Sequence, residues 1–232
     1  MCYSKEQSIT AWIINLTVCI YLLNTDIGNT ELKSFILFLL YIGQMQLIDY
    51  IYYNNQECNI INKLTSKLGL FIVYLQPLVL YVLQLCYNSF SINTGLHILA
   101  FLYLIMIILY AKNQYIDLNC TEKDNTETKV CCSVGYKIDK NKTEDSRKDK
   151  AKWIFYNKQG AGLLNMVYIV LLLFLINNYS SKYKYIAYFV YFFSLILLHF
   201  KELNGIYYNY EIPRLWCYFT ALSPLILLII KE

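Results

Sequence analysis

Charged residues are scarce in this sequence and make up only 16% of its 232 residues. A soluble domain carries nearer a quarter. The deficit is also uneven, because eleven of the twenty Lys and Arg lie between Lys112 and Lys158. Elsewhere the chain runs in apolar blocks of about 17 to 23 residues, and roughly 20 apolar residues are enough for a helix to cross the hydrocarbon of a bilayer. The composition therefore predicts an integral membrane protein.

Histidine and catalytic motifs are also scarce, which excludes several classes of membrane protein. The two histidines, His97 and His199, are too few for a zinc hydrolase with three histidine ligands, and we expect no metal and no cofactor. No phosphate loop is present for a nucleotide-driven pump. The last predicted span has no internal Lys for a retinal Schiff base, which argues against a rhodopsin. Since no nucleophile and base are paired either, a non-enzymatic protein is favoured over an enzyme.

The apolar segments predict an all-α fold, a polytopic transmembrane helix bundle of about seven spans with one long charged loop. Residues 1–111 hold spans one to four, residues 112–160 form the loop, and residues 161–232 hold spans five to seven. The predicted spans are Ser8–Asn24, Ser34–Tyr53, Leu68–Asn88, Thr94–Ala111, Ala161–Asn177, Tyr183–Phe200 and Arg214–Ile230. The first is short and polar in places, so a bundle of six spans is the alternative.

Two local features interrupt this pattern. Pro77 falls inside span three and Pro224 inside span seven, and each predicts a kink, which neighbouring helices can tolerate in a membrane. In the loop, Asn119–Lys152 is polar and rich in both charge signs. Val130–Tyr136 is the one stretch there that predicts a short strand.

The positive charges predict the orientation of the chain. With seven spans, 16 Lys and Arg lie on the face that carries the N-terminus and the long loop, and four lie on the other face. The positive-inside rule then places the N-terminus and the loop in the cytoplasm and the C-terminus on the opposite side. The glycosylation patterns Asn119-Cys-Thr121 and Asn141-Lys-Thr143 lie in that loop and are expected to stay unmodified.

The expected partners follow from the same charges and spans. The net charge of +4 has no groove-reading motif beside it, so we expect no nucleic acid. The lipid bilayer is the expected surroundings of the chain. The expected protein partner is either a further copy of the chain, which would form a homo-oligomer, or a host membrane protein.

Polar side chains inside the spans are the candidates for a functional site, because ionisable groups in a membrane are costly. The candidate intramembrane polar site consists of Gln46, Asp49, Gln76, Gln84, His199 and Arg214. Gln46 and Asp49 share a helical face of span two, whereas Gln44 points elsewhere. Asp49 and Arg214 are predicted to lie at the same depth in the membrane. Three interpretations are open: they form an ion pair, they belong to a functional site, or they simply mark the ends of spans. The glutamines are expected to join helices, with a polar pathway for a solute as the alternative.

Three short motifs resemble an uncharacterised multi-span membrane protein family of large DNA viruses. They are Gln44-Met-Gln-Leu-Ile-Asp49, Leu75-Gln-Pro77 and Leu215-Trp-Cys217. The likeness covers spans two and three and the start of span seven. In that family an aromatic residue, often Trp, follows the acidic position, where this chain has Tyr52 and Tyr53. The resemblance implies a viral membrane setting and no particular activity.

The sequence therefore favours a non-enzymatic multi-pass membrane protein with a membrane or host-interaction role. The alternative is a small transporter or channel with a polar site on spans two, three and seven. The third hypothesis is a lipid-modifying enzyme that uses Asp49, His199 and Glu202 at the cytoplasmic interface.

Overall fold

The fold is built from helices, with a small sheet in the long loop. The computed structural model describes residues 5–25, 28–55, 60–87, 93–117, 123–125, 128–131, 134–137, 152–153, 161–180, 182–190, 192 and 212–231. Its helices are α1 (Lys5–Thr25), α2 (Thr30–Asn54), α3 (Ile60–Tyr74), α4 (Gln76–Cys86), α5 (Thr94–Asp117), α6 (Ala161–Asn177), α7 (182–190) and α8 (Ile212–Lys231). The described part of every predicted span is helical, except for Leu75 and Tyr87 in span three.

Within the described residues, three helices are long and apolar enough to cross a membrane. They are α1, α2 and the Thr94–Lys112 part of α5. A fourth span is added if the bent pair of α3 and α4 counts as one. The apolar helices Gly162–Asn177 and Phe219–Ile229 are shorter. The part of the chain that the structure describes is thus mainly helical, with three to four candidate membrane spans.

Several helices begin earlier than the apolar pattern predicted. The helix α2 begins at Thr30, because the side chain of Asn29 accepts a hydrogen bond from the Leu32 backbone N–H at 2.9 Å and caps the first turn. The helix α3 begins at Ile60, eight residues before Leu68, the predicted start of span three. Hydropathy locates the apolar part of a helix, and the hydrogen-bonded backbone continues beyond it.

The kink predicted at Pro77 is confirmed as a break between two helices. The axes of α3 and α4 differ by 54°, and Leu75 lies between them. Pro77 stands in the first turn of α4, where its missing N–H leaves no hydrogen bond unmade and its ring ends the preceding helix. In contrast, α8 continues across Pro224 as one helix.

The helix α2 is central to the bundle and packs against α1, α3, α4 and α8. Contacts across the α1–α2 pair show that these helices are antiparallel. Asn15 reaches Leu39 near the middle of the pair, while Cys19 Sγ lies 3.9 Å from the Ile36 carbonyl oxygen nearer to the connecting turn. The helices α4 and α6 are parallel, because Gln76 contacts Tyr168, and Gln84, later in α4, contacts Leu175, later in α6.

The long loop contains four short antiparallel strands in the order β1-β2-β3-β4. Their ranges are β1 (Lys123–Asn125), β2 (Thr128–Cys131), β3 (Val134–Lys137) and β4 (Lys152–Trp153). Because Cys131 pairs with Val134, the single strand expected over Val130–Tyr136 is instead two strands that pair with each other.

Candidate polar site between the helices

Two members of the predicted site, Gln46 and Asp49, are buried on α2, with exposed fractions of 0% and 1%. Both side chains lie inside the bundle, on the face that packs against neighbouring helices. Gln44 is only partly buried and accepts a hydrogen bond from Trp12 Nε1 at 3.3 Å. This confirms that Gln44 points away from the other two.

Gln76 is the third member and lies at the first position of α4, beside the helix break. It is fully buried, and its Oε1 accepts a hydrogen bond from the Tyr168 hydroxyl on α6. Among the described residues, no acceptor lies within reach of its Nε2. Next to it, the Tyr103 hydroxyl donates to the Tyr74 carbonyl oxygen at 2.7 Å, which satisfies backbone at the end of α3. The break is therefore lined by tyrosines and one glutamine amide.

Gln84 is the fourth member and lies near the end of α4. Its Nε2 donates to the Leu175 carbonyl oxygen on α6 at 2.8 Å, and its Oε1 accepts from Asn178 Nδ2 at 3.3 Å. Tyr179 shares a further hydrogen bond with this side chain. Both ends of the buried amide are thus bound to α6 and the residues that follow it.

These four residues lie at different depths. Gln76 and Gln84 are eight residues apart on one helix, which is about 12 Å along its axis. Gln84 meets Tyr179, which also binds Ser34 at the start of α2. Gln46 lies twelve residues further along α2, about 18 Å deeper. The predicted set is therefore spread along the bundle rather than gathered into one compact site.

The remaining two members fall at the edge of the described structure. His199 lies outside the described residues, and so does Glu202 of the third hypothesis. Arg214 lies in the first turn of α8, but its side chain is not among those described. Since α2 and α8 pack against each other, the helices of Asp49 and Arg214 are neighbours. The ion pair between the two side chains remains a prediction.

Sequence reasoning missed a polar cluster at the end of the bundle where the α1–α2 and α6–α7 links meet. We call it the turn cluster; its members are Asn29, Glu31, Ser34, Gln84, Asn178, Tyr179, Ser180 and Tyr183. Ser34 Oγ lies 2.7 Å from the Tyr179 hydroxyl, Asn29 Nδ2 lies 3.3 Å from the Tyr183 hydroxyl, and the Ser180 N–H donates to the Glu31 carboxylate. The Phe35 ring packs edge-on against Tyr179, with ring centroids 5.2 Å apart. Because tyrosine is abundant throughout the sequence, Tyr179 and Tyr183 did not stand out as members of a polar cluster.

The second feature that sequence reasoning missed is Asn15, which counted only as a weakness of span one. Its side chain is fully buried where α1, α2 and α8 meet. Nδ2 donates to the Leu39 carbonyl oxygen at 3.3 Å and to the Ala221 carbonyl oxygen at 2.9 Å. Gly43 makes room for the amide, because a Cβ at that position would lie 2.1 Å from Asn15 Oδ1. One amide thus joins three helices.

A small cavity lies between α2, α7 and α8. Its volume is about 10 Å³, close to the room that one water molecule needs. Its lining residues are Phe35, Phe38, Leu39, Ile186, Ala187, Val190, Thr220 and Ser223. None of the predicted site residues lines it, and its size admits no larger solute. In the part of the chain that the structure describes, no three His, Cys, Asp or Glu side chains are placed to hold a metal ion.

Fold and site together define a helical protein with several candidate membrane spans and polar contacts buried between its helices. Comparison with protein-family models, with curated proteins and with solved structures finds no match to this chain.

Proposed function

We propose that this chain is a seven-span membrane protein with a non-enzymatic role, which acts on the membrane that holds it or on host proteins in that membrane. The observation that supports this proposal is the hydrogen bonding of the Gln84 side chain. A fully buried amide, at a position predicted for a polar site, has both of its ends engaged by α6 and the residues after it. Asn15 likewise joins three helices through its Nδ2. These two side chains support a packing role for polar groups between the helices.

Seven spans and a cytoplasmic N-terminus are supported by the contacts at the turn cluster. The links after α1 and α6 meet there, and the end of α4 joins them through Gln84. A chain that crosses back and forth brings the links after its odd-numbered spans to one side. The long loop then lies on the other side, with 16 of the twenty Lys and Arg. A viral setting is supported only by the resemblance of the three short motifs.

Glycosylation mapping tests the spans and the orientation. In cells that glycosylate membrane proteins, we expect Asn119 and Asn141 to stay unmodified, while an acceptor site added after Glu232 is modified. A control chain with an acceptor site before Met1 should stay unmodified. Modification of the loop or of the N-terminal site would show that the orientation is the reverse of the proposed one. The same outcome at both terminal sites would show an even number of spans.

The role itself is tested in vesicles that contain the purified protein. We expect changed vesicle shape by electron cryomicroscopy, or selective capture of host membrane proteins in cross-linked cells. In the same vesicles we expect no change in lipid composition and no solute flux above that of protein-free vesicles. Another seven-span protein at equal mass controls for crowding. Catalysed lipid change, or flux that depends on the chain, would overturn a non-enzymatic, non-transport role.

A transporter or channel is the second candidate, and one observation favours it. The buried Nε2 of Gln76 has no acceptor among the described residues, and it lies where the helix is broken. Discontinuous helices form substrate sites in many transporters because their ends carry unpaired backbone groups. Flux of small solutes that is abolished by Gln76→Leu and Asp49→Asn, but kept in Gln44→Leu, would establish this candidate. No flux with the unchanged protein would end it.

A further inference from the structure

We propose that the helix break at Leu75 binds a small anion such as chloride. The site, which we call the break site, consists of the backbone N–H groups of Gln76 and Leu78 and the side-chain Nε2 of Gln76. It lies at the N-terminal end of α4, a helix of eleven residues. The proposal rests on the membrane-spanning placement of α3 and α4 and names a class of solute for the second candidate function. Binding requires no flux, so it is equally compatible with a non-transport role.

The bend leaves two backbone donors of α4 without their usual acceptors. Among the described residues, the backbone hydrogen bonds that cross the break run from Leu75 N–H to the Phe71 carbonyl oxygen and from Val79 N–H to the Leu75 carbonyl oxygen, both at 2.9 Å. The N–H groups of Gln76 and Leu78 lie between these two bonds and have no backbone acceptor in the described structure. The first N–H groups of a helix stay unsatisfied unless a side chain, water or ligand binds them.

The Gln76 side chain is a second, independent sign of a ligand. It is fully buried, its Oε1 accepts from the Tyr168 hydroxyl, and its Nε2 meets no acceptor within the described part of the chain. The Tyr103 hydroxyl donates to the Tyr74 carbonyl oxygen at 2.7 Å, which is the acceptor that Leu78 would use in an unbroken helix. Both tyrosine hydroxyls are thus donors in their own bonds, while the N–H groups of the break site lack acceptors. A buried donor without an acceptor is costly, so an acceptor from outside the chain is expected there.

The number of donors favours an anion over water or a cation. The break site offers four N–H hydrogens, one from each backbone amide and two from the Gln76 side chain. A water oxygen has only two lone pairs, whereas a halide ion accepts hydrogen bonds from every side. The bend also frees the carbonyl oxygens of Ile72 and Val73, because Gln76 N–H no longer reaches one and Pro77 has no N–H for the other. A cation could bind these oxygens, but the unpartnered amide N–H groups of Gln76 would repel it.

The charges around the break also favour an anion. The N-terminal end of α4 carries the positive end of the helix dipole. The neighbouring helices α3 and α6 contain no Asp or Glu. On α2, Tyr41 interacts with Tyr103 and so marks the level of the break. Asp49 lies eight residues further along α2, about 12 Å away along the axis, so its carboxylate does not oppose an anion at the break.

Chlorine NMR of the full-length protein in detergent tests the break site, because chloride in exchange with a protein site gives a broadened signal. We expect broadening that saturates with chloride concentration and is reversed by bromide but not by gluconate. In Gln76→Glu the side chain still accepts from Tyr168, but an oxygen replaces the free Nε2, so the affinity should fall by about tenfold to a hundredfold. Gln44→Glu, at a half-buried position of α2, is the matched control and should bind chloride like the unchanged protein.

A second variant removes the break and keeps the glutamine. Pro77→Ala lets the helix close, so the N–H groups of Gln76 and Leu78 regain acceptors in α3 and chloride binding should be lost. The distance between spin labels at the exposed positions Leu64 and Leu85 reports whether the helix has straightened. The melting temperature of each variant, measured without chloride, shows that it is folded.

No saturable broadening with the unchanged protein, or chloride binding that survives in both variants, would refute the break site and leave water as its occupant. Chloride on surface lysines would broaden the signal equally in every variant. Because the measurement in detergent depends on neither orientation nor flux, its failure leaves the proposed function standing. Glycosylation mapping and the vesicle assays decide that function separately, and binding without flux would support the break site together with a non-transport role.

Discussion

At the scale of single residues, Asn15 shows why a polar side chain can be useful inside a membrane bundle. Its Nδ2 donates to carbonyl oxygens of α2 and α8, and its Oδ1 lies against Gly43. Among the described residues, no donor reaches Oδ1. The close approach of Gly43 leaves no room for any side chain larger than hydrogen at that position.

The first prediction concerns Gly43→Ala. The new methyl would meet Asn15 Oδ1 at 2.1 Å, so the amide must move, and we expect its bonds to the two carbonyls to weaken. We expect a loss of about 1 to 3 kcal/mol in unfolding free energy, measured by denaturant titration in detergent micelles. Gly162→Ala is the matched control, since a Cβ there meets nothing within 4 Å. Equal stability of the two variants would contradict the tight fit at Asn15.

The second prediction concerns the contact between Ser34 and Tyr179, whose oxygen atoms lie 2.7 Å apart. In a double-mutant cycle with Ser34→Ala and Tyr179→Phe, we expect a coupling of about 0.6 kcal/mol and at most about 1.7 kcal/mol. Ser34→Ala combined with Tyr183→Phe is the control, because Tyr183 binds Asn29 instead. A coupling of the same size in both cycles would show that the hydrogen bond is not its source.

Burial raises the pKa of Tyr179, and the hydrogen bonds with Ser34 and Gln84 offset this only in part. The folded protein therefore favours the neutral phenol. This contribution to stability is complete below the ordinary tyrosine pKa of about 10 and is lost as the pH rises above it. The coupling should accordingly stay constant between about pH 6 and pH 9.

At the scale of elements, the break at Leu75 depends on Pro77. The third prediction is that Pro77→Ala restores a backbone N–H, removes the clash with the preceding turn and straightens the α3–α4 pair. Spin labels at the exposed positions Leu64 and Leu85 should then move apart by up to about 3 Å, as expected for unbending 54°. The control is Pro224→Ala in α8, which should leave this distance unchanged. An unchanged distance in both would assign the bend to packing.

Elements also show what could be predicted from the sequence. The predicted bounds of span five, Ala161–Asn177, coincide with those of α6, because its apolar run ends where the helix ends. Span three was placed from Leu68, but α3 starts at Ile60 and passes Lys63. Hydropathy rejects a segment with a lysine, whereas the helix backbone continues through it. Apolar patterns thus locate helices well and helix ends poorly.

The candidate site was less predictable for a different reason. Burial of Gln46, Asp49, Gln76 and Gln84 followed from their helical positions. Their partners did not, because Gln84 bonds to backbone of α6, more than 90 residues away, and backbone acceptors leave no mark in a sequence. The turn cluster was missed for another reason, because its contacts are mostly between side chains and tyrosine is too abundant in this sequence to mark a cluster.

At the scale of the whole molecule, the long loop sets the predicted orientation. Without its eleven Lys and Arg, the charges on the two faces number five and four. The fourth prediction is that replacing all eleven by Gln gives a mixture of both orientations. An acceptor site after Glu232 should then be glycosylated in only part of the protein. Replacing the four lysines of the opposite face is the control and should leave modification complete, whereas full modification in both variants would exclude the loop as the determinant.

The turn cluster also implies a delay during synthesis between the first hairpin and the residues that it contacts. Its contacts join residues that are far apart in the sequence, such as Glu31 and Ser180, which the ribosome makes about 150 residues apart. At 5 to 20 residues per second, the first hairpin waits roughly 7 to 30 seconds for its partner. During that interval Ser34 and Glu31 lack the groups that later satisfy them. A chaperone or an insertase that shields the α1–α2 hairpin would act in this window, before the later helices arrive.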